Sequence, residues 1–229
     1  MRTPSTELGQ HPDISANTKA LWVIDKGSGN VVYDVVSGRN CTDAGGPTWV
    51  SGLVGKGVDT GDTGLGFTDT TTAPGADSGF ALGFWSCEAW VRRMGAVGGG
   101  VNTVVTYDNG AAESGLSMHV FGGGIGHVLY NKVQCAWIDA LGVSKNLTST
   151  ARIADGVWTH IACEKFDAGG GKYGIKIHIN GVLDATDSSI TTNAAACPNG
   201  QWKVGTGNFG YFGGEICSVH VTAASLTTA

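Results

Sequence analysis

Apolar and polar positions alternate with a period of two through most of this chain, and the alternating segments are short. From Trp158 to Phe166, Ile161 and Cys163 fall on one face, with His160, Ala162 and Glu164 on the other. From Tyr173 to Ile179, Tyr173, Ile175, Ile177 and Ile179 point one way and Lys176 and His178 the other. Such alternation predicts half-buried strands. Asp167-Ala-Gly-Gly-Gly171 supplies turn chemistry between these two, and Asn180-Gly181 is a strong hairpin signal before the return strand that starts at Val182. Trp85 to Arg92 places Trp85, Cys87, Ala89 and Val91 on one face. Further strands are predicted at Ala20–Ile24, Val31–Asp34, Gly66–Phe67, Val101–Tyr107, Gln134–Ile138, Asn146–Ile153, Trp202–Gly207 and Tyr211–Val221. Gly115–Phe121 and Gly126–Tyr130 read as a hairpin about the glycines at 122–126.

Two hundred and twenty-nine residues with 38 glycines and 14% charged residues suit one all-β domain of many short strands. We read residues 1–18 as an extended polar arm, 19–221 as the domain and 222–229 as a C-terminal tail. An ordered arm of this composition implies that its own domain or a neighbouring subunit holds it. A net charge of −5 with scattered Lys and Arg offers no basic stripe, so nucleic acid is not an expected partner. No apolar run reaches the length of a membrane span, and the N-terminus does not read as a signal peptide. The six cysteines, at 41, 87, 135, 163, 197 and 217, are expected to be buried free thiols.

Several of these segments resemble one family. The Trp158–His160 strand, the glycine-rich turn and the strand ending Ile179-Asn-Gly-Val182 are similar to those of the laminin-G-like (concanavalin A-like) jelly-roll family. So are Asp25-Lys-Gly-Ser-Gly29, Gly46-Pro-Thr-Trp49, Gly55-Lys-Gly-Val-Asp59 and Glu88-Ala-Trp-Val91, in the family's order. The resemblance implies an all-β, two-sheet antiparallel jelly-roll sandwich.

It also implies places to look for chemistry. Calcium, which many members bind, would draw on Asp25, with Asp59 and Asp62 as further oxygen donors. Lys26 and Cys217-Ser218 stand where the family often has acids, which weakens that site. A glycan site needs an aromatic platform, for which Trp137, Tyr107, Tyr130 and Tyr211 are the candidates. Catalysis would need paired carboxylates. The glutamates at 7, 88, 113, 164 and 215 lack the Glu-x-Asp-x-x-Glu neighbourhood of related glucanases, although Glu88 and Glu164 could face one another. His160 is expected to be structural, and His178 and His220 to be solvated.

Three functions follow as expectations. The first is a non-enzymatic structural protein that assembles with other subunits, as a homo-oligomer or with capsid or tail proteins, in a virion made in the host cytoplasm. The second is a glycan-binding adhesion module. The third is a glycoside hydrolase or polysaccharide lyase.

Overall fold

The computed structural model describes residues 15–61, 66–95, 100–110, 114–123 and 126–226. They form an antiparallel two-sheet jelly roll. Sheet A holds β1 (Thr18–Val23), β7 (Trp85–Arg93), β12 (Trp158–Gly169), β13 (Lys172–Ile179), β14 (Val182–Ile190) and β16 (Gly214–Thr222), in the order β14-β13-β12-β7-β16-β1. The pair β4 (Thr48–Ser51) and β5 (Lys56–Asp59) joins it through β16. Sheet B runs β11 (Ser144–Arg152), β10 (Lys132–Ile138), β9 (Ser114–Phe121), β8 (Val101–Asp108), β15 (Gln201–Val204), β6 (Phe67–Asp69), β3 (Cys41–Thr42) and β2 (Val31–Asp34).

The two sheets nearly close on each other. On one side β2 pairs with β1 near Asp34 and with β3 near Val31, so a single strand turns the corner. On the other, the Asp184 carboxylate of β14 accepts the backbone N–H groups of Thr150 (2.6 Å) and Ala151 (3.0 Å) on β11. A side chain here takes the place of a ladder and protects an edge that would otherwise expose donors.

The alternation predicts the faces correctly. Trp85, Cys87, Ala89 and Val91 are buried, as are Ile161, Cys163, Ile175 and Ile177. At the β13–β14 turn, Asn180 (φ 51°) and Gly181 (φ 77°) both take the left-handed conformation of a tight hairpin. Two strand predictions need correction. β9 pairs with β10, and residues 126–131 form turns, so the hairpin expected at 126–130 lies one segment later. The segments that close the chain separate, with β15 beside β8 in sheet B and β16 in sheet A.

The core is rich in tryptophan. Trp22, Phe80 and Tyr107 surround Trp202 with ring centroids 5.0–5.9 Å away, and the Trp202 Nε1–H donates to Asp77 at 2.8 Å. Asp77 also binds Arg39 through two nitrogens, together with Lys19. Cys87, Cys135 and Cys163 lie fully buried, and burial raises the Cys135 and Cys163 thiols, which leaves them inert as nucleophiles. At the chain ends, Ala223 N donates to Asn17 O and Leu226 N to Glu164 Oε2, so residues 15–18 and 222–226 lie against their own domain.

Lys165 is an unusual core residue. Its Nζ donates to the carbonyls of Ala81 (2.6 Å) and Leu82 (3.3 Å) and to Asn193 Oδ1 (2.5 Å), between the rings of Trp137 and Tyr173. Burial lowers its pKa to about 8 from 10.5. Between those values the unfolded chain holds the proton that the folded chain has released, so stability rises with pH. Wild type is therefore expected to gain stability over Lys165→Met as pH rises from about 8 to about 10. Urea denaturation at both ends of that range checks this, and a constant difference would refute it.

Candidate functional site

At one end of the sandwich the loops after β7, β9, β11 and β15 converge on Arg93, which is fully buried. Arg93 Nε donates to Asn131 Oδ1 at 3.3 Å and Nη1 to Gly213 O at 2.5 Å. Asn131, held at φ 58°, passes its own amide hydrogens to Ile153 O (3.1 Å) and Asp155 Oδ1 (2.8 Å). The Tyr130 hydroxyl donates to Asp155 Oδ2 at 2.6 Å. The guanidinium thus ties two connecting segments to the end of β7, and the Asn131 amide ties in a third.

On this support stands the segment Gly205-Thr-Gly-Asn-Phe-Gly-Tyr-Phe212. Phe212 is buried and anchors the segment, its N–H donating to Gly205 O at 2.9 Å. Phe209 and Tyr211 stay 46% and 45% exposed. Gly210 between them has φ 121°, which lets two neighbouring aromatics both leave the core. Around them the outer face of sheet B presents Gln134, Asn146 and Thr148, whose side chains hydrogen-bond one another.

Of the four predicted aromatics, the segment uses Tyr211 alone. Trp137 (0% exposed) and Tyr107 (2%) belong to the core, because both sit on inward positions of their strands. Tyr130 (6%) is turned in by its bond to Asp155. None of the three offers a ring face to a ligand. Phe209 escaped the sequence reading, although its position between Gly207 and Gly210, outside any alternation, was an available signal.

The expected calcium donors do not assemble. Asp25 is exposed, and Asp59 Oδ1 accepts the Gly61 N–H at 2.8 Å. The cross-strand neighbour of Asp59, Glu215, is engaged by Arg92. Asp62 lies outside the described residues, among which no group of three His, Cys, Asp or Glu could hold a metal ion. Asp25 and Asp59, the two described candidates, do not form a calcium site.

The carboxylates on the outer face of sheet A are equally committed. Glu88 on β7 sits between His160 Nε2 (3.0 Å) and His220 Nδ1 (2.8 Å), with the Trp90 ring 5.3 Å from that of His160. Burial acts to raise the Glu88 pKa, but the two imidazole hydrogen bonds outweigh it and hold the carboxyl down to about 2. His220 is therefore a buried partner and not the solvated side chain expected from its polar face. Glu164 is fully buried beneath the tail, with Lys176 Nζ 2.8 Å from its Oε1 and His178 beyond. Glu88 and Glu164 lie diagonally across the β7–β12 pair on this one face, each engaged by its own partners; Glu7 and Glu113 lie outside the described residues.

The profile of the family described as the concanavalin A-like lectin/glucanases superfamily matches residues 62–229. No curated protein matches. Among solved structures, domain 4 of AbnA, an extracellular arabinanase of Geobacillus stearothermophilus solved with arabinotriose, is 17% identical with a TM-score of 0.63, covering 92% of this chain and 94% of that one. The binding domain of botulinum neurotoxin serotype G is 13% identical with a TM-score of 0.61, covering 92% of this chain and 49% of that one. The CBM40 of the Ruminococcus gnavus IT-sialidase, bound to α2,3 sialyllactose, is 17% identical with a TM-score of 0.56, covering 75% and 91%. At these identities the likeness is one of fold.

Proposed function

We propose that this chain, which belongs to the concanavalin A-like lectin/glucanases superfamily, is a glycan-binding module that acts without catalysis. The observation that carries this is the half-exposed pair Phe209 and Tyr211, held on one glycine-hinged segment beside a polar sheet face. Aromatic faces give a sugar ring an apolar platform, and the amides and hydroxyls of Gln134, Asn146 and Thr148 supply orienting hydrogen bonds. The two fold neighbours that hold oligosaccharides support the same reading. The engaged state of Glu88, Glu164 and Glu215 speaks for binding and against hydrolysis.

The assembly role expected first draws no support from the described chain ends, which contact their own domain. Residues 1–14 of the expected arm and residues 227–229 of the tail lie outside the described residues.

A glycan array that includes arabino-oligosaccharides and sialylated lactose tests the proposal. Tyr211→Ala and Phe209→Ala are each expected to weaken binding about tenfold while melting near the wild-type temperature, since both rings are half-exposed. Absence of any bound glycan, or binding unchanged in both variants, would end this reading.

A further inference from the structure

Beneath the Gly205–Phe212 segment lie polar groups that the free fold leaves without partners. Thr103 on β8 and His119 on β9 are direct cross-strand neighbours, with 0% and 1% of their surface exposed. Neither Thr103 Oγ1 nor His119 Nδ1 has a hydrogen-bond partner. Buried polar atoms in native proteins are nearly always paired, because an orphan forfeits its hydration for nothing. Two such atoms on adjacent strands, under one loop, therefore call for an explanation.

The loop that covers them shields both atoms from water and supplies neither with a hydrogen bond. Gly207 lies so close that a Cβ there would stand 2.9 Å from Thr103 Oγ1 and Cγ2. Phe209 meets the His119 ring edge to face, with centroids 5.2 Å apart and planes at 79°. A long backbone bond, Thr103 N to Gly210 O at 3.4 Å, joins strand to loop. Gly205 (φ 73°) and Gly210 (φ 121°) hold conformations that glycine alone takes freely, and they bound the part of the loop that carries Phe209. The anchor at Phe212 lies just beyond.

We infer that Thr103 and His119 form the hydrogen-bonding floor of the glycan site, covered by the Phe209 loop in the free protein and exposed to the hydroxyls of a sugar ring in the complex. This rests on the glycan-binding reading above. The chemistry suits a polyhydroxylated ligand and few others. Each sugar hydroxyl both donates and accepts, so it can pair with the Thr103 hydroxyl and with either tautomer of a neutral imidazole. Phe209, once lifted from His119, turns its ring face toward the ligand beside Tyr211. A site whose buried polar atoms wait for hydroxyls rejects ligands that lack them, which makes these two residues determinants of specificity.

Thr103→Val, which keeps the shape and removes the hydroxyl, is the decisive variant, with Thr103→Ser as the control that keeps the hydroxyl. Both are compared with wild type and Tyr211→Ala on the same glycan array and by thermal melting. Thr103→Val is expected to melt at or above the wild-type temperature and to bind about tenfold more weakly, while Thr103→Ser binds as wild type does. A Thr103→Val protein that binds like wild type, while Tyr211→Ala does not, overturns the floor and leaves the glycan reading standing. A lowered melting temperature for Thr103→Val also overturns it, since the hydroxyl would then have a partner in the free fold. If wild type binds no glycan, both fall together.

Discussion

Replacing Arg93 by methionine is expected to lower stability by about 2–5 kcal/mol, among the larger effects of any single change in this fold. Methionine fills much of the volume but donates nothing. Asn131 Oδ1 and Gly213 O would each lose a buried donor, and an orphaned buried acceptor costs about 1–3 kcal/mol. The loss spreads beyond those two atoms. The Asn131 side chain holds the Ile153 carbonyl and Asp155, and Asp155 holds Tyr130, so the turns around them loosen together. Because Gly213 directly follows the segment bearing Phe209 and Tyr211, glycan affinity is expected to fall along with stability. Urea denaturation of Arg93→Met measures the first effect and the array the second. A variant within about 1 kcal/mol of wild type would show that the guanidinium is not the hub its contacts suggest.

Acidification is expected to unfold the domain earlier than its carboxylates alone would dictate, through His119. Burial beneath the Phe209 loop lowers the His119 pKa from 6.5 to about 3, and no charged neighbour contributes to that shift. The groups packed around it are Thr103 from β8, its β10 cross-strand neighbour Gln134 and the Phe209 ring, all uncharged. The folded chain resists a proton that the unfolded chain accepts. The associated stability is complete above pH 6.5 and is lost progressively as pH falls toward 3, a total of about 5 kcal/mol. Glu88 acts in a lower window, since its carboxyl is held at about 2 against 4.5, and its contribution is lost only below about pH 4.5. Between pH 6.5 and 4.5 wild type should therefore lose stability relative to His119→Leu, which has no imidazole to protonate. Parallel stability curves for the two proteins over that range would show that His119 meets solvent freely.

Some of this molecule could be read from short stretches of chain. The inward face of β7 was visible as Trp85, Cys87, Ala89 and Val91, because in a strand the side-chain period is two whatever the partner strands do. The hairpin at Asn180-Gly181 was equally visible, since its backbone conformation is a property of those two residues. The candidate site was much less so. Trp137, Tyr107 and Tyr130 looked the same as Tyr211, each an aromatic in or beside a loop. His220 looked solvated because its own strand gives no sign of Glu88, which lies 132 positions away and is brought opposite by the pairing of β16 with β7.

What the sequence by itself determined is the all-β sandwich, the inward faces of its main strands and the tight turns between them. Each of these depends on residues within a few positions of one another. The tertiary structure alone decided which aromatics face water, which carboxylates are already partnered, and that Thr103 and His119 share a covered floor. Those outcomes depend on contacts between strands far apart in the chain, where burial and hydrogen bonding are properties of the assembled sheets and not of any one segment.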